Sequence, residues 1–201
     1  RLLLAGILVM MACFAGGAAA GELPAAVQAA ADEIRDRQNH AGRPFVVVSI
    51  DQQRLYLFRS AGEPQAFPVS TSRFGVGSEA GSNKTPTGLH RVAHKFGDGA
   101  PRGMVFKARR ATGEVVPLIT EPKDVPEDLV TTRILWLEGL QSGLNRGQGV
   151  DSFRRYIYIH GTQEEGLVGQ PASHGCVRML NDDVIRVFER LPEGALVSII
   201  R

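Results

Sequence analysis

One short region near the C-terminus holds the residue types that nucleophilic catalysis needs. The β-forming stretch YIYI leads to His160, and twelve residues (161–172) separate it from the run SHGC at 173–176. A cysteine attacks as its thiolate, so it needs a nearby base or a lowered pKa, and the oxygen that becomes negative needs hydrogen-bond donors. The region offers a thiol, two imidazoles and a glycine-bearing backbone, and it predicts a cysteine nucleophile.

Either of the two histidines could serve as the base for Cys176. His174 is two residues away, so on an extended segment its side chain shares a face with the cysteine. His160 lies on a different strand and could reach the thiol across the site. Gly175 permits unusual backbone angles and the close approach of a substrate carbonyl, so the N–H groups of residues 174–176 could form an oxyanion hole. The residues alone leave both histidines open.

The same cluster does not have the composition of a metal site. Zinc takes four ligands, or three and a water, and Cys176 has no CxxC partner. We therefore expect no metal and no cofactor. His40, His90 and His94 are interpreted as structural or surface residues.

The first twenty residues differ in composition from the rest of the chain. Residues 2–20 are uncharged, follow Arg1 and end in three alanines, which is typical of a secretory signal peptide. We expect cleavage before Gly21 and a periplasmic mature protein. A retained membrane anchor and lipidation at Cys13 are the alternatives.

Composition and cysteine count narrow the classes of function. The chain has 201 residues, with 23 basic and 21 acidic side chains, so no basic excess supports nucleic-acid binding. If Cys13 leaves with the signal, Cys176 is the single thiol, and an exported lone thiol is usually either buried or used.

Strands are the elements expected to position these residues. Residues 21–43 predict a helix or a linker, and from residue 44 the segments PFVVVSID, RLYLFR and AFPVSTS predict an antiparallel meander. TRILWLEGL, RRYIYIHGT and ALVSII predict further strands. Asn181 is the candidate N-cap of a helix over NDDVIRVFERL, which ends at the following Pro-Glu-Gly.

A long middle segment separates the early strands from the cluster. Residues 97–130 are rich in glycine, proline and charge and predict an irregular excursion. The longer segment 97–150 is a candidate lid. This segment contains Phe106 and Trp136, and Tyr156 follows it. We interpret these three aromatic residues either as the lining of a substrate groove or as part of the core.

The motif IHGT followed by SHGCVRM closely resembles the signature of the L,D-transpeptidase family, also called the YkuD domain. VVVSIDQQRLYLF, KTPTG and NDDVIRVFERLPEGALVSI resemble other parts of that domain, so the likeness covers residues 44–201. The resemblance implies a catalytic domain over this range. It also implies a mainly β fold, a β-sandwich with a long inserted loop and a short C-terminal helix.

The resemblance implies roles for the signature residues. Cys176 would be the acylated nucleophile, and His160 would be the base, its ring oriented by the Gly161 carbonyl. Arg178, where the family often has Asn, would contact substrate or brace the loop. His174 and Gly175 would serve the oxyanion hole chiefly through their backbones, and Gly161 and Ser173 would belong to the hole or support it.

The resemblance also implies a reaction and its partners. The enzyme would cleave the bond between diaminopimelate and D-Ala of a peptidoglycan tetrapeptide stem, forming a thioester on Cys176 without a cofactor. An amine of a second stem, or a lysine of an outer-membrane lipoprotein, would accept the acyl group. A hydrolase on the same scaffold and a non-catalytic wall-binding module with an inert Cys176 are the alternatives. The oligomeric state is left open.

Overall fold

A computed structural model describes residues 23–37 and 42–201. The expected signal peptide, Cys13 and His40 lie outside the described residues. Among the residues that are described, no helix has the length and apolar character needed to cross a membrane.

The described residues form two α-helices and ten strands. In chain order they are α1 (Ala25–Arg35), β1 (Phe45–Ser49), β2 (Arg54–Phe58), β3 (Gln65–Ser70), β4 (Gly88–Phe96), β5 (Met104–Lys107), β6 (Arg110–Val115), β7 (Val130–Gly139), β8 (Tyr158–Gly161), β9 (Val177–Met179), α2 (Asn181–Arg190) and β10 (Leu196–Ile200). A 3₁₀ turn, Glu165–Leu167, lies between β8 and β9.

Eight of the strands form a closed ring. Their order is β4-β10-β1-β2-β3-β9-β8-β7, and β7 pairs back onto β4. The prediction of a mainly β fold is confirmed, as is the antiparallel meander of β1, β2 and β3. The pairing forms one closed, barrel-like sheet, however, and not the two stacked sheets expected of a sandwich.

Helix α1 explains why β1 and β2 are buried on both faces. Successive side chains of a strand point to opposite faces, so Val46 and Val48 enter the main core while Val47 points outward. Val27 and Ile34 of α1, spaced on one face of the helix, cover that outer surface. Of the helix or linker expected here, the structure has a helix.

Helix α2 begins one residue earlier than the predicted N-cap implies. Leu180 occupies the N-cap position, and Asn181 is the first helical residue. The side chain of Asn181 instead donates to the Thr162 carbonyl at 2.7 Å and to Glu165 Oε1 at 2.8 Å. The N-cap prediction is wrong because this amide ties the loop after β8 to the helix.

The expected irregular excursion contains regular structure. Within residues 97–130, β5 and β6 form a hairpin joined by Ala108 and Arg109, and β5 pairs with the start of β7. Every residue of β6 is exposed, so its sequence has no alternation of apolar and polar residues that could have predicted a strand.

Candidate active site

Two parallel strands place the signature residues on one surface. β8 and β9 pair in register, with Ile159 opposite Val177 and His160 opposite Arg178. Ile159 and Val177 belong to the main core. Because side chains alternate along a strand, His160 and Arg178 lie on the outer face. Cys176 immediately precedes β9 and packs into an outer cluster, so it is a diagonal neighbour of His160.

Hydrogen bonds fix the shape of the turn before the cysteine. Ser173 Oγ donates to the Cys176 carbonyl at 2.6 Å and accepts the Gly175 N–H at 3.2 Å. Gly175 has a φ of 122°, and an added Cβ would lie 3.3 Å from the Lys84 carbonyl oxygen. A larger residue is disfavoured on both grounds. The Gly175 N–H is therefore occupied, which leaves the amides of residues 174 and 176 for an incoming oxyanion.

The surroundings of Cys176 disfavour the ionised form of its thiol. Burial raises the pKa of Cys176 to about 12, and the Asp128 carboxylate adds to that effect. The Tyr158 N–H, which donates to Sγ at 3.3 Å, acts in the opposite direction, as does the charge of Arg155. The thiol itself donates to the Tyr156 carbonyl, with Sγ 3.4 Å from that oxygen. The cysteine thus needs a base to become nucleophilic at neutral pH.

His160 is a buried imidazole with a defined tautomer. Its Nδ1 lies 2.8 Å from the Gly161 carbonyl oxygen. A carbonyl can only accept, so Nδ1 carries the proton and Nε2 has the free lone pair. Burial lowers the pKa of His160, although Asp128 and the Gly161 carbonyl oppose the change. A neutral ring is therefore favoured. Among the described residues no hydrogen bond joins this ring to Sγ.

Arg178 is held in a buried ionic cluster. Its guanidinium lies 2.7 Å from Glu164 Oε2 and 2.6 Å from Asp128 Oδ2, and its side chain is 1% exposed. Removing either carboxylate would leave a buried charge partly unpaired. Of the two roles expected for Arg178, its surroundings support bracing and offer no surface for substrate.

His174 is engaged away from the thiol. Its Nδ1 lies 2.9 Å from Asp128 Oδ2, its side chain is 44% exposed, and its ring is 5.6 Å from that of Phe74. Arg178 is the largest favourable influence on Asp128, and it lowers the pKa of that carboxyl group against the effect of burial. The carboxylate of Asp128 thus links the two residues that flank Cys176 at minus two and plus two.

The outer cluster beside the thiol is aromatic. Trp136 and Phe106 are buried, as the core interpretation predicts, whereas Tyr156 is 53% exposed. Trp136 meets Tyr158 edge to face at 5.9 Å between ring centroids. Arg109, at the tip of the β5–β6 hairpin, lies 4.5 Å above the Trp136 ring and donates to the Tyr158 hydroxyl at 3.2 Å.

Four of these contributors do not emerge from sequence reasoning. Asp128, Glu164 and Arg109 lie in loops or turns whose composition signals only exposure. Tyr158 belongs to the YIYI stretch, but the sequence does not show that its N–H reaches Sγ. Its position two residues before His160 was the one available signal, because it puts both side chains on one face.

Neither of the remaining described histidines forms a hydrogen bond with the thiol. His90 is buried, with Nδ1 3.0 Å from the Gly88 carbonyl oxygen and Nε2 2.9 Å from Ser152 Oγ. His94 is about half exposed. Residues 23–37 and 42–201 contain no group of three or more acidic, histidine or cysteine side chains arranged to hold a metal ion.

The fold and the site define a class of protein: a closed β-sheet in which one of two parallel strands carries an imidazole and a thiol immediately precedes the other. The family model described as the L,D-transpeptidase catalytic domain, YkuD, matches residues 43–199. The chain belongs to this family. The resemblance drawn from the signature is thereby confirmed.

Several curated proteins share this domain. The probable L,D-transpeptidase YcfS of Escherichia coli K12 is 26% identical over 167 residues, which is 80% of this chain and 45% of that protein. The putative L,D-transpeptidase YqjB of Bacillus subtilis is 49% identical over 45 residues, 22% of this chain and 26% of that protein. The chain thus spans less than half the length of these relatives.

A solved structure with a similar chain trace is L,D-transpeptidase 3 of Mycobacterium tuberculosis, determined with a faropenem-derived adduct. It is 18% identical, and the match covers 80% of this chain and 61% of that one with a TM-score of 0.49.

Proposed function

We propose that this protein is an L,D-transpeptidase of the bacterial cell wall that uses Cys176 as nucleophile and His160 as base. The observation that carries the proposal is the juxtaposition of the two side chains on the outer face of β8 and β9, within a matched catalytic domain. The proposed acyl donor is a peptidoglycan tetrapeptide stem. The bond cleaved joins the carbonyl of diaminopimelate to the nitrogen of the terminal D-Ala.

Acylation begins from two neutral groups. Rotation about the Cα–Cβ bond of Cys176 moves the thiol from the Tyr156 carbonyl toward Nε2 of His160, which takes the proton. The thiolate attacks the diaminopimelate carbonyl, and the amides of residues 174 and 176 donate to the resulting oxyanion. The C–N bond then breaks, the imidazolium protonates the departing D-Ala amine, and a thioester remains on Cys176.

Deacylation repeats the proton transfers with a new nucleophile. An amine attacks the thioester while His160 takes its proton, and the sulfur leaves and is reprotonated. A side-chain amine of a second stem gives a cross-link between third-position residues. A lysine of an outer-membrane lipoprotein gives a wall anchor. We place the reaction in the periplasm, because the apolar N-terminal segment is typical of an export signal.

Purified muropeptides test the proposal. The protein is incubated with diaminopimelate tetrapeptide muropeptides and the products are separated and weighed by mass spectrometry. Release of D-Ala and formation of a dimer, with a thioester mass on Cys176, is the expected result. Cys176→Ala provides the control and should give neither product.

Each other outcome of this assay has a defined meaning. Tripeptide without dimer, even with excess acceptor amine, would show that water accepts the acyl group and that the protein is an L,D-carboxypeptidase. Absence of an adduct with both muropeptides and a carbapenem would support a non-catalytic wall-binding module and refute the proposal.

A further inference from the structure

The arginine at the tip of the β5–β6 hairpin contacts the tyrosine whose backbone N–H reaches the nucleophile, and it has no counter-ion among the described residues. Arg109 donates to the Tyr158 hydroxyl at 3.2 Å, and the N–H of the same tyrosine donates to Cys176 Sγ at 3.3 Å. The guanidinium also lies over the rings of Trp136, at 4.5 Å, and Tyr156, at 5.3 Å. No carboxylate of the described residues forms an ion pair with it.

A second arginine, Arg35, also stacks on an aromatic ring but has the carboxylate partner that Arg109 lacks among the described residues. Arg35 of α1 lies 5.2 Å above the Phe58 ring on the opposite outer surface, and its guanidinium is 2.8 Å from Asp32 Oδ1. Both arginines stack on aromatic faces. Of the two, Arg35 has a carboxylate partner among the described residues and Arg109 has none.

We propose that Arg109 and the Tyr158 hydroxyl form a carboxylate-binding subsite for the acyl donor. Arginine presents a planar fork of donors that matches a carboxylate, and the aromatic faces fix the plane of this fork. The tyrosine hydroxyl accepts from Arg109 and keeps its own proton to donate to the ligand. This inference rests on the proposed function, since it assigns the donor's carboxylate a place at the same site.

The backbone holds Arg109 in an uncommon conformation. Ala108 and Arg109 both have positive φ, 48° and 66°, as in the tight two-residue turn of a β-hairpin. Such turns favour Asn-Gly, because residues with a Cβ are disfavoured there. Any residue with a Cβ is costly at this position, so the presence of an arginine here agrees with a role in binding.

A tetrapeptide stem carries two carboxylates that this subsite could take. One is the distal carboxylate of diaminopimelate, several bonds along the side chain from the reacting carbonyl. The other is the C-terminal carboxylate of D-Ala, which lies in the leaving residue. Both present the same chemistry to Arg109, and different peptides separate them.

The test compares Arg109→Gln with Arg110→Gln on three stem peptides. Arg110 is the adjacent, exposed residue, so its substitution removes the same charge from the same hairpin. The peptides are the diaminopimelate tetrapeptide, its lysine analogue without the distal carboxylate, and its C-terminal amide. The rate of D-Ala or alaninamide release gives kcat and KM for each variant with each peptide. Iodoacetamide labelling of Cys176 reports that the site is intact.

Arg109→Gln should raise KM for the full peptide about tenfold to a hundredfold, the usual loss for a charge-assisted hydrogen bond. For the analogue that lacks the carboxylate bound by Arg109, the same substitution should change KM little. Arg110→Gln should match the wild type on all three. Equal loss on every peptide, or equal behaviour of the two variants, overturns the subsite.

A binding measurement separates this inference from the proposed function. Trp136 is the single tryptophan of the chain and lies under Arg109, so its fluorescence should change on binding. Titration of Cys176→Ala with each peptide measures affinity without turnover. Binding that depends on Arg109, in a protein whose wild type releases no D-Ala, would refute the transferase and keep the subsite. Turnover with affinity independent of Arg109 would do the reverse.

Discussion

Two elements cover parts of the outer surface of the barrel-like sheet: helix α1 and the β5–β6 hairpin. They differ in how many polar groups lie in the contact that each makes with the sheet. Helix α1 closes the surface of β1 and β2 with apolar contacts, among them Val27 and Ile34, both almost fully buried. The β5–β6 hairpin covers β7 and β8, where Trp136 and Tyr158 present aromatic bodies with polar groups. Helix α1 thus completes an apolar core, whereas the hairpin belongs to the aromatic cluster against which the Cys176 thiol packs.

The two covers show how one architectural device serves stability and chemistry. Phe45 and Phe58 stack at 4.7 Å under α1 and bring no polar atom to the surface. Tyrosine and tryptophan bury comparable area and keep a hydrogen-bonding group. The Trp136 N–H donates to the Phe153 carbonyl, whereas the Tyr158 hydroxyl accepts from Arg109 and can still donate to a ligand. If this contrast is sound, substitutions on the α1 side change stability, and substitutions on the hairpin side change the reaction.

The largest expected effect is the loss of the nucleophile on the hairpin side. Cys176→Ala removes the atom proposed to carry the thioester, so acyl transfer should fall by at least about 10³-fold while the fold is retained. The measurement is D-Ala release together with a thermal melt. Residual transfer near the wild-type rate would show that another group forms the acyl-enzyme.

Loss of the base should be the next largest effect. His160→Ala should slow acylation about 10²- to 10⁴-fold, the usual contribution of a positioned base. The exposed His94→Ala is the control and should leave the rate unchanged. A greater loss from His174→Ala than from His160→Ala would show that the base is assigned to the wrong ring.

The pH dependence of the wild-type rate reports the state of His160. Burial lowers its pKa, so the ring stays neutral at pH values where a solvated histidine is protonated. Acylation should therefore hold its rate through the usual range of histidine titration and fall only at lower pH, as the base is protonated. A profile that falls at the ordinary histidine pKa would contradict the burial of this ring.

The reactivity of the thiol tests its resting state directly. Because the pKa of Cys176 is raised to about 12, its alkylation by iodoacetamide should rise about tenfold per pH unit across the neutral range. Rates are followed by mass spectrometry in the absence of peptide. A high rate that is independent of pH would indicate a preformed thiolate paired with imidazolium, and would exclude the neutral pair.

On the α1 side, stability should change without the reaction. Ile34→Ala removes a fully buried side chain and should cost about 3 kcal/mol of unfolding free energy, measured by urea titration. The acylation rate of the folded fraction should stay within about twofold. Glu33→Ala, on the exposed face of the same helix, should change stability by less than about 0.5 kcal/mol.

The smallest expected effect sharpens the contrast between the two arginines. Arg35→Gln breaks an exposed ion pair with Asp32 and should cost about 0 to 1 kcal/mol of stability, with no change in KM for any stem peptide. Arg109→Gln should instead raise KM for the full stem peptide. A KM effect at Arg35 would remove the distinction between the covers.

The sequence predicted the parts of the fold that have a regular apolar pattern. The meander, the closing strand and α2 follow from alternation and helical spacing, and the cysteine and histidine follow from their motif. The exposed strand β6 has no such pattern, and closure of the ring depends on the pairing of β4 with β7, whose residues are far apart in sequence. Neither feature can be predicted from local residue order.

The side chains that contact the signature residues could not be predicted from local residue order either. Asp128 lies 46 positions from His174 and 50 from Arg178 in the chain, and its contacts exist only because a loop returns over β8 and β9. The Asn181 prediction failed for a related reason. Its position before an apolar run is typical of an N-cap, but the neighbouring Glu165 and the Thr162 carbonyl compete for the same side chain.

Closure of the ring also bears on aggregation. A complete ring has no free strand edge, so within the described sheet the terminal strand is β6. That strand is short and carries Arg110, Gly113 and Glu114, residue types that discourage strand addition by another molecule. We therefore expect a strand of another molecule to add poorly at this terminal edge of the described sheet, where charge and glycine disfavour pairing.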